Sequence, residues 1–257
     1  MTPLTPLTPL TDQPVRSPLG PRPRVTREIV SFVRRSARLS DSQRKAWDDH
    51  ADRWVVDVPR GDTDTSIDPT FVVDLDDLFG RPAPLIVEIG SGMGGSLVPM
   101  ARDRPDRNVL AFEVYQPAVA RTLAKLARER VDNVRLVQAD AVEGLTTMIG
   151  PGAIDELWLF FPDPWHKSRH HKRRLLTPAF VDLVASRMRP GARWRLATDW
   201  ADYALQMRQV LDEHPAFAGE NPWQGWSPRW DARPVTRFEE RGLEAGRTIV
   251  DLTYRRR

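Results

Sequence analysis

LIVEIGSGMGGSL, residues 85–97, passes from an apolar run into a glycine-rich turn and then into a helical pattern. Apolar residues in direct succession are typical of a parallel strand that is covered on both faces. The glycines permit positive φ angles and let the backbone come close to a ligand. The stretch therefore predicts the first strand and the ligand-binding turn of a doubly wound, Rossmann-like α/β fold.

The same alternation of strand and helix continues along the rest of the chain. Five further apolar runs predict strands, at residues 108–114, 134–138, 154–161, 193–198 and 247–254. Helical patterns lie between strands, at residues 95–102, 117–130, 141–148, 178–188 and 201–213. Regular alternation predicts a mostly parallel sheet with helices on both faces. Ligands bind beyond the carboxyl ends of the strands in such a sheet, so the residues after each strand are the site candidates.

The composition excludes several classes of protein. The 257 residues include no cysteine, which excludes disulfides, thiolate metal sites and cysteine nucleophiles. No run approaches the ~20 apolar residues that a membrane-spanning helix needs, so we expect no membrane partner and a cytoplasmic protein. The formal net charge of +3 is too small to indicate a nucleic-acid partner by itself, so the position of the charges decides.

The chain divides into three parts by composition. Residues 1–26 repeat TPL and are rich in proline, which predicts a disordered arm. Residues 27–84 form a basic lead-in, with a helix that begins at Ser40 or Asp41 and a loop-like acidic stretch after it. Residues 85–257 carry the regular alternation and are the predicted catalytic domain.

The glycine spacing in the first turn fits two cofactors. Gly90, Gly92 and Gly95 satisfy the G-x-G-x-x-G pattern of dinucleotide-binding proteins. The tighter G-x-G-x-G pattern of adenosylmethionine-dependent methyltransferases is satisfied by Gly90, Gly92 and Gly94. Glu88 favours the second cofactor, because a carboxylate repels a pyrophosphate but suits the cationic methionine portion of adenosylmethionine.

Two more acids follow neighbouring strands. Glu113 ends the second strand, where an acid binds ribose hydroxyls of either cofactor. Asp140 ends the third strand and is a candidate for binding an adenine amino group. Capping of the next helix is the alternative for Asp140, because aspartate is a preferred N-cap residue.

The fourth strand ends in Phe161-Pro162-Asp163-Pro164-Trp165, a stiff turn that fixes a carboxylate beside an aromatic ring. A dense run of charge follows at residues 166–174, with five lysines or arginines and three histidines. A solvated surface, a metal site from His166 and His170, and a contact to an RNA backbone are the alternatives. We favour RNA, because the charge lies next to the predicted reactive centre, and we expect no metal.

Five blocks in this order resemble the bacterial tRNA (guanine-N(7)-)-methyltransferases over about residues 29–257. They are SFVRRSARLSDSQRKAW (31–47), VEIGSGMGGSL (87–97), FPDPWHKSRHHKRRL (161–175), LATDWADYA (196–204) and TRFEERG (236–242). The sequence departs from the family at Ser91, where an aromatic residue is common, and at Tyr115, where histidine is frequent.

The resemblance implies a role for each matching residue. Cofactor binding falls to Glu88, the loop of Gly90, Gly92 and Gly94, Glu113, Asp140 and Asp163, and Asp163 is also the catalytic candidate. Substrate binding falls to Lys167, Asp199, Thr236, Arg237, Phe238 and Glu239. RNA contact falls to Arg169, His170, His171, Lys172, Arg173 and Arg174.

The implied reaction is transfer of a methyl group from S-adenosyl-L-methionine to N7 of a tRNA guanosine, in the variable loop, by a monomer or homodimer. A nicotinamide-dependent oxidoreductase, an RNA-binding module without activity and a small-molecule methyltransferase are the alternatives. Taken without the resemblance, TRFEERG reads as a polar loop before the last strand. Trp165 either stacks on the base or packs, and Trp223, Trp226 and Trp230 either form a stacking platform or, as we favour, seal an edge of the core.

Overall fold

A seven-stranded sheet forms the centre of the computed structural model, which describes residues 31–32, 38–220 and 225–257. The strands are β1 (Leu85–Ile89), β2 (Asn108–Phe112), β3 (Val134–Val137), β4 (Ile154–Phe160), β5 (Met188–Thr198), β6 (Phe217–Gly219) and β7 (Val250–Arg256). They lie in the order β3-β2-β1-β4-β5-β7-β6, and β7 runs in the direction opposite to the other six. The prediction of a doubly wound, mostly parallel sheet is confirmed.

Eight α-helices are found in the described part of the chain. They are α1 (Asp41–Trp54), α2 (Leu75–Phe79), α3 (Leu97–Arg102), α4 (Gln116–Glu129), α5 (Ala141–Thr147), α6 (Pro178–Arg187), α7 (Ala201–Glu213) and α8 (Arg237–Glu244), with a 3₁₀ helix at Ser168–Arg173. Helix α1 begins where the sequence predicts, because Ser40 and Gln43 form a reciprocal capping box. None of these helices has the length and apolar character needed to cross a bilayer.

Apolar side chains of the central strands pack on both faces of the sheet. Val87 and Leu157 belong to a cluster with helices α6 and α7, and Ile86 and Trp158 belong to a second cluster with α3 and α4. The lead-in also contributes to the core. Trp54 at the end of α1 is buried in the second cluster, and its Nε1 donates to the carbonyl of Val131 at 2.9 Å.

The structure differs from the sequence-based prediction mainly near the end of the chain. TRFEERG is not a loop: Thr236 is an N-cap whose hydroxyl accepts a hydrogen bond from the amide of Glu239 at 3.3 Å, and α8 follows. A threonine three residues before a glutamate is a helix-start pattern, which the polar composition obscured. Strand β5 begins earlier than predicted. Its first residues are largely exposed and not apolar, so the search for an apolar run did not identify them. The short elements α2 and β6 were not predicted.

The sheet order places the two most informative sequence blocks side by side. Strand β1 lies between β2 and β4, so the chain winds outward in opposite directions from the β1/β4 pair. The glycine turn follows β1, and the turn containing Asp163 follows β4. This is the switch point at which open α/β sheets bind their ligands. The proline-rich arm at residues 1–26, together with Arg34, Arg35 and Trp223, lies outside the described residues.

Candidate active site

The glycine turn after β1 leaves space above its backbone. Gly90, Gly92 and Gly94 have φ angles of 74°, 54° and 66°, which side chains other than glycine rarely adopt. A Cβ on Gly90 or Gly92 would meet no atom within 4 Å, whereas a Cβ on Gly94 would lie 2.9 Å from the side chain of Thr122. Gly90 and Gly92 therefore leave room for a ligand, and Gly94 permits the turn to pack on α4.

Glu88 is buried at the end of β1 with half of its carboxylate unsatisfied. Its side chain accepts a hydrogen bond from the hydroxyl of Ser96 at 3.0 Å, while Oε2 has no partner, and the residue is 1% exposed. Burial raises the pKa of Glu88 to about 8, a net value in which the hydrogen bond from Ser96 opposes the rise and the charge of Glu113 adds to it. An unpaired buried carboxylate oxygen suits a cationic ligand group, such as the ammonium of adenosylmethionine.

The raised pKa of Glu88 makes a prediction about stability. Because the folded protein holds a proton from pH 4.5 to about 8 that the unfolded chain releases, the ligand-free protein loses stability as the pH rises through this range. Glu88→Gln removes this loss. We expect the variant to exceed the wild type by a few kcal/mol at pH 8 and by almost nothing at pH 4.5, measured by chemical unfolding without ligand. If the free energies of unfolding of the wild type and the variant changed in parallel with pH, the raised pKa of Glu88 would be contradicted.

Glu113 and Asp140 follow the next two strands and face the same edge. Glu113 accepts hydrogen bonds from the amides of Gly92 and Tyr115, both at 2.8 Å, which ties the end of β2 to the glycine turn. Burial raises the pKa of Glu113, and the negative charge of Asp163 adds to that rise, so these two carboxylates are electrostatic neighbours. Asp140 accepts a hydrogen bond from the amide of Val142 at 2.8 Å. This bond caps α5, as the capping alternative predicts.

The turn after β4 is held by an unusual backbone. Phe161 and Trp165 have φ angles of 51° and 47°, a left-handed conformation that costs roughly 1–3 kcal/mol per non-glycine residue. Asp163, exposed between the two prolines, is thereby presented at the edge of the sheet. Trp165 donates from Nε1 to the carbonyl of Ser31 at 3.0 Å, so this ring packs on the lead-in.

The run of charge at residues 166–174, the basic block, is only partly exposed. Lys167, Arg169, Lys172 and Arg173 are exposed, and His170 and His171 are half-buried. His166 lies against Trp200, with ring centroids 4.1 Å apart, and His170 lies edge-on to Trp165. Within the described ranges, no three His, Asp or Glu residues are grouped so that they could hold a metal ion.

Arg174 corrects one prediction, because its side chain is 2% exposed and does not face solvent. It donates from Nε to the carbonyl of Pro164 at 2.9 Å, from Nη1 to Gln206 at 2.8 Å and from Nη2 to Asp202 at 2.7 Å. Its guanidinium also lies 4.8 Å from the ring centre of Tyr203. The prediction that Arg174 contacts RNA is therefore wrong for this arrangement: the residue joins the Asp163 turn to α7.

Glu239 requires a similar correction. Its carboxylate is 2% exposed and accepts from Arg233 at 2.7 Å, and Arg229 pairs with it at 3.3 Å. Arg233 is itself buried and also pairs with Asp251 of β7 at 2.9 Å. The carboxylate of Glu239 thus fixes α8 to the sheet instead of facing a substrate. The sequence offered no signal for Arg233, since a buried arginine cannot be told from the many exposed ones.

The other substrate candidates surround the edge of the cleft. The Thr236 side chain lies 3.4 Å from where a Cβ on Gly95 would stand, so the start of α8 borders the glycine turn. Phe238 is 52% exposed, and its ring centre lies 5.3 Å from that of Phe161. Arg237 is exposed beside it. Asp199 is 8% exposed and pairs with Arg247 at 2.7 Å, a partner that the sequence analysis did not identify.

The described tryptophans of the C-terminal part pack on the protein. Trp230 lies 5.8 Å from the ring centre of buried Trp158 and carries the guanidinium of Arg195 at 3.9 Å. Trp226 is half-buried against the first core cluster. These contacts agree with the interpretation that the tryptophans seal an edge of the core.

Comparison with known proteins agrees with this geometry. Residues 82–252 match a family model described as a putative methyltransferase. The solved structure of PH0851 has a similar fold, with a TM-score of 0.53 and 16% identity over 68% of this chain and 43% of that chain. The fold, the glycine turn and the strand-end acids define an S-adenosylmethionine-dependent methyltransferase of the Rossmann-like class.

Named relatives identify the family within this class of methyltransferases. A protein of Cutibacterium acnes named tRNA (guanine-N(7)-)-methyltransferase is 52% identical over 91% of this chain and 85% of its own length. A protein of the same name from Paraburkholderia xenovorans is 44% identical over 90% of this chain and 84% of its own length. The chain belongs to the family of bacterial tRNA (guanine-N(7)-)-methyltransferases.

Proposed function

We propose that this chain transfers the methyl group of S-adenosylmethionine to N7 of a guanosine in tRNA, and that this guanosine lies in the variable loop. The observation that carries the proposal is the 52% identity, over 91% of the chain, to a relative named for this reaction. The buried, half-satisfied Glu88 carboxylate supports the choice of cofactor, because the nicotinamide alternative leaves it without a cationic partner.

The residues present fit the cofactor. Glu88 would bind the methionine ammonium, and Glu113 would bind the ribose hydroxyls while keeping its two backbone hydrogen bonds. Asp140 would bind the adenine amino group with the carboxylate that also caps α5. Gly90 and Gly92 provide the open space between these acids. When bound, S-adenosylmethionine supplies an electrophilic methyl group on a positively charged sulfur.

The chemistry places few demands on the protein. N7 of guanine has a lone pair and no proton, so no general base is needed to produce the nucleophile. As the N7–carbon bond forms, the bond from that carbon to the sulfonium sulfur would break, so the positive charge would pass from the sulfur to the guanine ring, where a fixed carboxylate stabilises it. Asp163 is the exposed carboxylate held by the strained turn after β4, and we assign it this role. It would also hold the guanine by accepting from its ring N–H and exocyclic amine.

The substrate would be held on the other side of Asp163. Phe238 is exposed and supported by Phe161, so it is the aromatic residue available to stack on the extruded base. Thr236 borders the glycine turn, and Asp199 follows β5 at the same edge of the sheet, so both would contribute to substrate binding there. The exposed Lys167, Arg169, Lys172 and Arg173 would bind the phosphates that flank the base. A tRNA substrate would also place the protein in the cytoplasm.

Two measurements test the proposal. Calorimetric titration should give binding of S-adenosylmethionine and none of NAD. Tritium from the labelled methyl group should then enter unmodified bulk tRNA, and reduction followed by aniline cleavage, which breaks the chain at 7-methylguanosine, should map it to one nucleotide. Cleavage outside the variable loop would reject the position alone, whereas NAD binding without S-adenosylmethionine binding would reject the function.

A further inference from the structure

A second group of positive charges lies beside the glycine turn, away from the basic block. Arg121 and Lys125 stand one turn apart on α4 and therefore share a face of that helix. Arg237 is the first residue of α8. We call these three residues the α4–α8 patch. Arg121 and Arg237 are exposed, and Lys125 is half-buried.

Neighbouring contacts fix the position of this patch. Thr122, next to Arg121, lies against Gly94, and Thr236, next to Arg237, lies against Gly95. The patch therefore borders the glycine turn on the side of α4, the helix that follows β2. The basic block follows β4, and β1 lies between these two strands. Positive charge thus flanks the cofactor turn on two sides.

Among the described residues, no acidic side chain forms a salt bridge with the patch. Within residues 38–220 and 225–257, the side chains of Arg121, Lys125 and Arg237 make no hydrogen bond or ion pair. The acids nearby are otherwise engaged or turned away: Glu129 pairs with Arg128 and Arg102, and Glu239 pairs with Arg233. Glu240, three residues after Arg237, is exposed and makes no ion pair with it. Most arginines in the described ranges, by contrast, bind carboxylates or carbonyl oxygens, as Arg53, Arg81 and Arg233 do.

The charges of the patch repel one another. Burial lowers the pKa of Lys125, and the positive charges of Arg128, Arg237 and Arg121 lower it further, against the attraction of Glu129. Like charges held together reduce the stability of the free protein by a small amount. A polyanion bound across the patch would remove this repulsion, which no contact inside the described structure does.

We propose that the α4–α8 patch binds the phosphodiester backbone of tRNA, as a second contact surface separate from the basic block. This rests on the proposed function, since the position of the patch beside the cofactor turn favours the RNA that brings its base there. An RNA backbone gripped on both sides of the cleft would hold the target nucleotide over Asp163 without any contact to a base.

The test is a double variant, Arg121→Gln with Lys125→Gln, in the full chain. The slope of log Kd against log salt for unmodified tRNA should fall by about 1.4–1.8, the contribution of two phosphates. KM for tRNA should rise roughly tenfold at moderate salt, while kcat at saturating tRNA and Kd for S-adenosylmethionine stay unchanged.

A matched control removes the same charge elsewhere. Arg107, which is half-buried and pairs with Asp106, and Arg130, which is exposed, lie at the amino ends of β2 and β3, the edge opposite the cofactor turn. Their double glutamine variant should keep the wild-type salt slope. Equal slopes for wild type and patch variant, or equal losses in both double variants, would overturn the proposal. A wild type that methylates no tRNA would instead reject the proposed function.

Discussion

Asp163→Ala lowers the single-turnover rate of methyl transfer by about 100- to 1000-fold at saturating S-adenosylmethionine and leaves the Kd for tRNA within a few-fold of wild type. This expected result follows from the position of the carboxylate on a turn whose strained backbone holds it in place. A preorganised group of this kind stabilises charge that develops only in the transition state, and its loss costs roughly 3–4 kcal/mol. Rapid-quench measurement with enzyme in excess isolates the chemical step.

Two further variants distinguish the effect of the negative charge of Asp163 from the effect of its size. Asp163→Asn keeps the size of the side chain and its hydrogen-bonding oxygen but removes the negative charge, so we expect most of the loss to remain. Asp106→Ala removes an exposed acid at the opposite edge of the sheet and should react at the wild-type rate. If the asparagine variant is fully active, Asp163 only positions the base, and electrostatic stabilisation is excluded.

The largest effect on stability is expected for Arg174→Ala. This change removes a buried guanidinium and leaves its partners, the Pro164 carbonyl, Gln206 and the half-exposed Asp202, without their donor. The loss of these hydrogen bonds costs about 2–3 kcal/mol, less than for a fully buried ion pair, because Asp202 regains contact with water. Chemical unfolding should therefore show a loss of this size, and turnover should fall because the Pro164 carbonyl follows Asp163 directly.

Arg173 provides a close control for this prediction. Arg173→Ala removes an identical side chain one residue earlier, but that side chain is exposed and lies over Trp165. We expect a stability change below about 1 kcal/mol and weaker, less salt-dependent tRNA binding. The opposite pattern, a stable Arg174→Ala protein with weakened tRNA binding, would restore the original prediction that Arg174 contacts RNA.

The parts of the fold that depend on local patterns were predictable from the sequence. The β1 strand begins and ends where its apolar run predicts, and α7 has the predicted bounds, because periodicity reports burial directly. The meeting of the glycine turn with the Asp163 turn follows from the rule that parallel strands bring their carboxyl ends to one edge.

The remainder depends on contacts that a pattern does not contain. Arg173 and Arg174 are adjacent arginines, yet the first is exposed and the second is buried against α7. Arg173 is the last residue of the 3₁₀ helix and Arg174 follows it, so the two side chains point in different directions. Likewise, Glu239 belongs to a block that implies substrate binding, but two arginines hold its carboxylate inside the protein. Charge composition cannot distinguish a buried pair from a solvated surface.

The sheet order also has a consequence for biosynthesis. Strand β7, at residues 250–256, lies between β5 and β6, and its Asp251 completes the Arg233–Glu239 pair that fixes α8. A nascent chain that has emerged only as far as α8 presents β5 as an unpaired edge, which is a template for aggregation until β7 arrives. The contact between Arg233 and Asp251, which helps to fix α8 beside the cleft, therefore forms only after the other strands of the sheet have left the ribosome.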